Sequence, residues 1–130
     1  MVFFGAPKSL DPRTQAEQAA ACAKAMQTRM QLLSQEWEAK GAQNLSMRIG
    51  VHQGEAVVGN FGSNQRVDYT CIGPDVNLAS RIESACEPGQ VFISESVAQF
   101  LEARQYQEVG SFNLKGITDE QTLYRYLSDD

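Results

Sequence analysis

The chain has 130 residues, 42% hydrophobic and 21% charged, a composition that fits one globular core and excludes a disordered or fibrous chain. Its 11 Lys and Arg against 16 Asp and Glu leave a net charge of −5, which excludes a nonspecific surface for nucleic acid or anionic membranes. Cys22, Cys71 and Cys86 form no CxxC pair and are odd in number, so reduced, buried thiols are expected rather than a disulfide frame or zinc site.

Met1 to Phe4 reads as the tail of a buried strand, stopped by Gly5-Ala6-Pro7 because proline cannot donate to a ladder. Asp11 is placed to N-cap a helix with Pro12 at its first position. From Pro12 to Lys40, Ala16, Ala19, Ala20, Ala23, Met26, Met30, Leu33 and Trp37 recur at three- and four-residue steps, and Gly41 supplies the stop. The spacing predicts a long amphipathic helix, about 43 Å at 1.5 Å per residue, lying across a sheet on a thin alanine seam.

Leu45, Met47, Ile49 and Val51 alternate with Ser46, Arg48, Gly50 and His52, the period of a strand with one buried face. After a turn at Gln53-Gly54-Glu55, Ala56 to Phe61 is expected as a strand, with Gly59 and Gly62 bracketing a bend. Val67 to Ile72 reads as a further strand. Asp75 then N-caps a helix from Val76 to Ala85 that buries Leu78, Ile82 and Ala85. Gln90 to Ile93 is a strand, Ser94 or Ser96 starts a short helix with Val97, Phe100 and Leu101 inward, and strands at Tyr106–Phe112 and Thr122–Leu127 close the chain. Strands alternating with helices predict an α+β or α/β arrangement of helices on a sheet.

Asn77 and Arg81 are one helical turn apart and about 40° apart in rotation, so both project to one side. An amide beside a guanidinium fork suits an oxygen-rich anion. The plainer alternative gives Asn77 to the helix's first turn and Arg81 to a surface carboxylate. Backbone N–H groups of Gly59-Asn60-Phe61-Gly62-Ser63-Asn64 could face a phosphate, yet the segment lacks the Gly-Lys-Ser/Thr ending of a P-loop, and a hairpin tip is the simpler reading. His52 has no second ligand at metal spacing, so a hydrogen-bonded strand residue is expected. No Ser-His-Asp or Cys-His constellation is defensible from spacing. Lys115, in FNLKG, alone is a loop lysine.

Taken together, RIGVHQGEAVVG, the YTCIG segment and VNLASRIES resemble the core of the class III adenylate and guanylate cyclase catalytic domain, and the likeness runs from MVFFG to LYRYL. It implies a ferredoxin-like nucleotide cyclase fold of α+β class, with residues 1–130 as a single domain lacking its N-terminal βαβ portion. The implied reaction converts ATP to 3′,5′-cyclic AMP and pyrophosphate in intracellular signalling; a guanylate cyclase and a noncatalytic cyclase-homology regulatory module are the alternatives. On matching positions Asn77 resembles the residue that orients the ribose, Arg81 the one that stabilises charge on the α-phosphate, and Lys115 the triphosphate-binding lysine. Thr70, three residues before Gly73, resembles the purine-selecting position and favours ATP, although a one-residue slip would put Cys71 there. The resemblance further implies two Mg²⁺ ions, whose aspartate ligands are expected upstream of Met1 or from a partner chain, so this chain alone should be nearly inactive. It also implies a head-to-tail homodimer, a cytoplasmic catalytic domain and an upstream sensor domain in the parent protein.

Overall fold

The computed structural model describes residues 2–5, 9–42, 45–63 and 66–127, and the side chains of all these except 61, 63 and 66–70. Helix α1 (Pro12–Ala39) begins where Asp11 accepts the Thr14 N–H at 3.2 Å. It ends as its glycine dictates: Gly41, at φ +85°, and Ala42 return their N–H groups to Glu38 O and Trp37 O at 3.0 and 2.9 Å. Its buried seam is Ala16, Ala20 and Ala23, as expected, but it continues through Gln27 and Ser34 rather than the methionines, and Met26 is exposed. The Gln27 Nε2 donates to Met47 O at 2.7 Å and Gln90 O at 2.8 Å. Both carbonyls precede parallel strands, and an amide satisfies them where a thioether cannot.

The strands are β1 (Ile49–Val51), β2 (Val57–Ser63), β3 (Arg66–Ile72), β4 (Val91–Ser94), β5 (Tyr106–Phe112) and β6 (Gln121–Tyr126), with α2 (Pro74–Ala85) and the short α3 (Glu95–Ala98) between them. One mixed sheet has the order β1-β4-β6-β5, with β1 parallel to β4 and the other pairs antiparallel. The second unit is the β2–β3 hairpin, paired without a break from Val57↔Ile72 to Ser63↔Arg66.

Helices cover both faces of the sheet, so β4 is buried throughout. On one face Ala16, Ala20 and Ala23 of α1 meet Val91, Ile93, Val97 and Tyr126, with Ile49 and Val51 against them. On the other, Ile82 of α2 meets Cys86, Phe92 and Leu123, joined by Leu78, Ala85, Phe112 and Leu114. Alternation along β4 and β6 sends successive side chains to opposite cores.

Four expectations are corrected. Val2 to Gly5 form no strand, because apolar side chains do not make one unless a neighbour closes the backbone hydrogen bonds, and no strand of the sheet pairs with them; Met1 lies outside the described residues. The strand expected from Leu45 shrinks to Ile49–Val51, since β4 offers partners only from Val91 to Ile93. Asp75 is not the N-cap of α2: the helix starts earlier, at Pro74 with Gly73 as cap, because proline's fixed φ suits the first position. Gly59 to Ser63 are ladder residues of β2 and form no bend; Asn64 lies outside the described residues.

Candidate active site

Asn77 and Arg81 lie on the exposed side of α2, beside the Leu78, Ile82 and Ala85 stripe that enters the core. Among the described side chains neither has a hydrogen-bond or ion-pair partner. Lys115 sits in the Leu114–Ile117 turn, closed by Ile117 N–H on Leu114 O at 3.1 Å with Gly116 at φ +79°. Leu114 packs in the same core cluster as Leu78 and Ile82, which brings the lysine's turn beside α2. Thr70 is on β3 opposite Gly59; its side chain falls outside those described.

The placement of α2 depends on residues the sequence did not single out for that task. Along β1 and its flanks, Ile49 and Val51 face α1, whereas the alternate positions Arg48, Gly50 and His52 face α2. Arg48 reaches Glu83 Oε1 at 3.6 Å and Ser84 O at 3.4 Å. A Cβ on Gly50 would stand 2.8 Å from Glu83 Cα, so only glycine allows this approach.

His52, its side chain 9% exposed, joins Asp75 Oδ1 at 2.7 Å through Nε2 and Ser94 Oγ at 2.8 Å through Nδ1. Asp75 Oδ2 accepts the Glu55 N–H at 3.0 Å, and a Cβ on Gly54 would fall within that carboxylate. The hydrogen-bonded histidine was expected; the Asp75–His52–Ser94 series was not, since its members are far apart in sequence. Ser94 is buried (3% exposed) and its hydroxyl also meets Ser96 Oγ at 2.8 Å, so it is shielded from any substrate. The series is a brace, not a nucleophile relay. The alternation Arg48-Gly50-His52 was the available signal for these helix contacts.

A groove of about 890 Å³ runs between α1, β1 and α2, lined by Ala19, Met26, Val51, Cys71, Val76 and Ala79 among others. Asn77, Arg81 and Lys115 do not line it. Among the described residues no group of three or more His, Cys, Asp or Glu could hold a metal ion, and these residues therefore do not fit the pair of Mg²⁺ ions that the resemblance implies. Among them, too, no helix is long and apolar enough to cross a membrane.

The family model of the adenylate and guanylate cyclase catalytic domain matches residues 1–128. The chain belongs to that family. It is 34% identical to the adenylyl cyclase CyaB of P. aeruginosa, whose crystal structure it matches with a TM-score of 0.91 over 98% of this chain and 66% of that one. The crystal structure of a guanylyl cyclase matches with a TM-score of 0.84 at 35% identity, over 97% of this chain and 64% of that one. Adenylate cyclase 1 of Rhizobium meliloti (strain 1021) is 32% identical over 115 residues, covering 86% of this chain and 17% of the relative. Both nucleotide specificities thus occur among the relatives, and the chain spans under a fifth of that curated relative's length. The α+β fold with its mixed sheet is that of cyclase catalytic domains. An exposed amide and guanidinium one turn apart offer neutral and charged donors to an oxygen-rich anion.

Proposed function

We propose that residues 1–130 are one catalytic-domain unit of an adenylate cyclase and supply the nucleotide-holding half of its site. The 3′-oxygen of ATP bonds to the α-phosphorus, the bond to the β-phosphate bridging oxygen breaks, and pyrophosphate leaves as the 3′-hydroxyl proton is released. The Asn77 amide orients the ribose, the Arg81 fork stabilises charge growing on the α-phosphate, and the Lys115 ammonium binds the triphosphate. These are positioning and electrostatic tasks, the main contributions a protein makes to phosphoryl transfer. The carrying observation is that Asn77 and Arg81 are exposed together on α2 without partners among the described side chains.

Thr70 contacts the purine in this reading. Cys71, the neighbour that would favour GTP, is buried and lines the groove that Asn77 and Arg81 do not reach, which supports ATP. The chain works in a head-to-tail homodimer or with a second cyclase domain. The Mg²⁺ ligands come from outside the described residues, and no step of the reaction is assigned to them.

The test is cyclic nucleotide formation from Mg²⁺-ATP and Mg²⁺-GTP. The chain is assayed alone and mixed with a cyclase domain that keeps its metal carboxylates but has lost its counterpart of Arg81. Cyclic AMP is expected from the mixture, little from the chain alone, and none when the chain carries Arg81→Ala. Robust turnover by the chain alone would refute the half-site assignment, and a preference for GTP would refute the adenylate one. ATP binding without turnover in any pairing would favour the noncatalytic regulatory module.

A further inference from the structure

The four-stranded sheet has two ends, and they are finished differently. At one end β5 carries an irregularity between Glu108 and Gly110, with Glu108 exposed, features that discourage further pairing. At the other end β1 has neither. Its Ile49 N–H donates to Gln90 O at 3.4 Å, so the backbone groups of Ile49 and Val51 turn toward β4 and those of Gly50 turn outward. Beyond that outward edge the described residues place no strand, only the groove of about 890 Å³. Its walls are small or apolar, with Ala19 and Met26 on α1 and Val76 and Ala79 on α2. Of the charged residues around it, Arg48 meets Glu83, Asp75 meets His52, and Glu55 is exposed, so nothing there calls for an ionic ligand. Alongside β1 and its flanks, five residues of extended chain measure about 17 Å; a strand about 4.8 Å wide, with side chains filling about 10 Å between two layers, occupies roughly 800 Å³. The groove is of that size.

We propose that the groove is a strand-acceptor site: an extended apolar segment, from the part of a cyclase catalytic domain that this chain does not span, pairs with the outward edge of β1. The Gly50 N–H and C=O then find partners, and β1 becomes an interior strand. The added strand lies between α1 and α2 and is buried on both faces. Strands in that position are uninterrupted apolar runs, which is the chemistry both walls require. The occupant is assigned to the catalytic domain because the chain covers 66% and 64% of the two cyclase crystal chains described above, so part of each lies beyond the match. Val2, Phe3 and Phe4 line the same groove and form no strand; the added segment gives them one to pack against. The inference rests on family membership and not on the adenylate cyclase reading.

The probes are overlapping peptides of about ten residues that tile the part of the P. aeruginosa CyaB crystal chain beyond this match, each added to the intact protein. Amide hydrogen exchange reads the outward N–H of Gly50, and iodoacetamide labelling reads Cys22, which lines the groove half-exposed. A few neighbouring peptides sharing one apolar run are expected to slow both reactions about tenfold or more, and scrambled versions of them to slow neither. Ala19→Trp fills the groove from α1 and should abolish the protection while the helical circular-dichroism signal stays; where that variant does not fold, the wild-type exchange pattern decides. If no peptide slows either reaction at about 1 mM, the site is overturned. Binding that leaves Gly50 unprotected, or equal protection by the scrambled peptides, overturns it too. Gly50 protected in the chain alone, and more so at higher protein concentration, assigns the edge to a second copy and overturns the occupant. No nucleotide is turned over in this test, so failure of the adenylate cyclase reading leaves its outcome unchanged.

Discussion

Replacing Gly50 with alanine puts one methyl group between β1 and α2. The added carbon would stand 2.8 Å from Glu83 Cα and 3.0 Å from Ile82 C, and closer still to Glu83 N. Carbon atoms rest about 3.5–4.0 Å apart, so strand and helix must separate by roughly 0.7 Å or more. All three obstructing atoms are backbone, and no side-chain rotation relieves them. Overpacking of this kind costs about 1–3 kcal/mol, which lowers Tm by roughly 3–12 °C in a domain of this size. The displacement acts on α2 at Glu83, two residues from Arg81. A shift approaching 1 Å can cut turnover up to about a hundredfold. Circular-dichroism melts and the mixed cyclase assay measure the two effects. Gly89→Ala is the control: its φ of +85° is strained for alanine, yet nothing lies within 4 Å of the new methyl, so it should lose about 1 kcal/mol and no turnover. A Gly50→Ala protein with wild-type Tm refutes the close contact. One with lowered Tm and unchanged turnover refutes the claim that this contact places Arg81.

Gln27→Leu removes both donations to Met47 O and Gln90 O, but these carbonyls keep the Gly89 and Ile49 N–H groups at 2.8 and 3.4 Å, so urea unfolding should show a loss of about 1–2 kcal/mol rather than collapse. Thr14's hydroxyl and amide hold the Asp11 carboxyl below its ordinary value of 3.8, so its contribution is present above 3.8 and fades as pH falls through the lower folded value; the stability advantage over Asp11→Ala should shrink in acid urea titrations. Burial raises the Cys86 thiol above its ordinary 9.0, so mass spectrometry should find iodoacetamide on half-exposed Cys22 well before Cys86, the order vanishing in urea.

What local chemistry decides was readable from the sequence. Asp11, Pro12 and Gly41 set the ends of α1, and Tyr106–Phe112 emerged as drawn, because caps, stops and alternation act over a few residues. What depends on partners was not. The pattern through Met26, Met30 and Trp37 continued the apolar stripe, but two carbonyls at the strand entrances put Gln27 in the seam instead. Val2 to Phe4 have the composition of a strand, but among the described residues no strand pairs with them. That Asn77 and Arg81 share one side of a helix was readable because their spacing is local to α2. The Asp75–His52–Ser94 brace joins residues 23 and 42 positions apart, and no short-range pattern announces it.

Period-two alternation has its fullest consequence at β1. Read alone, a face of Arg48, Gly50 and His52 opposite Ile49 and Val51 suggests one buried side and one in water. In a sheet covered on both faces, that second side meets a helix instead, and each of its three residues then has a distinct part. Arg48 ties the last turn of α2 through Glu83 and Ser84, Gly50 lets the two backbones touch, and His52 holds the first turn through Asp75. A helix held at both ends and in contact along its length has little freedom to slide or tilt. Asn77 and Arg81 are on neither the braced side nor the core side, so they stay exposed, without partners among the described side chains, on a helix that is fixed in place. If the two groups meet ribose and phosphate oxygens as proposed, this combination of exposed side chains on a pinned helix is what catalysis by positioning requires.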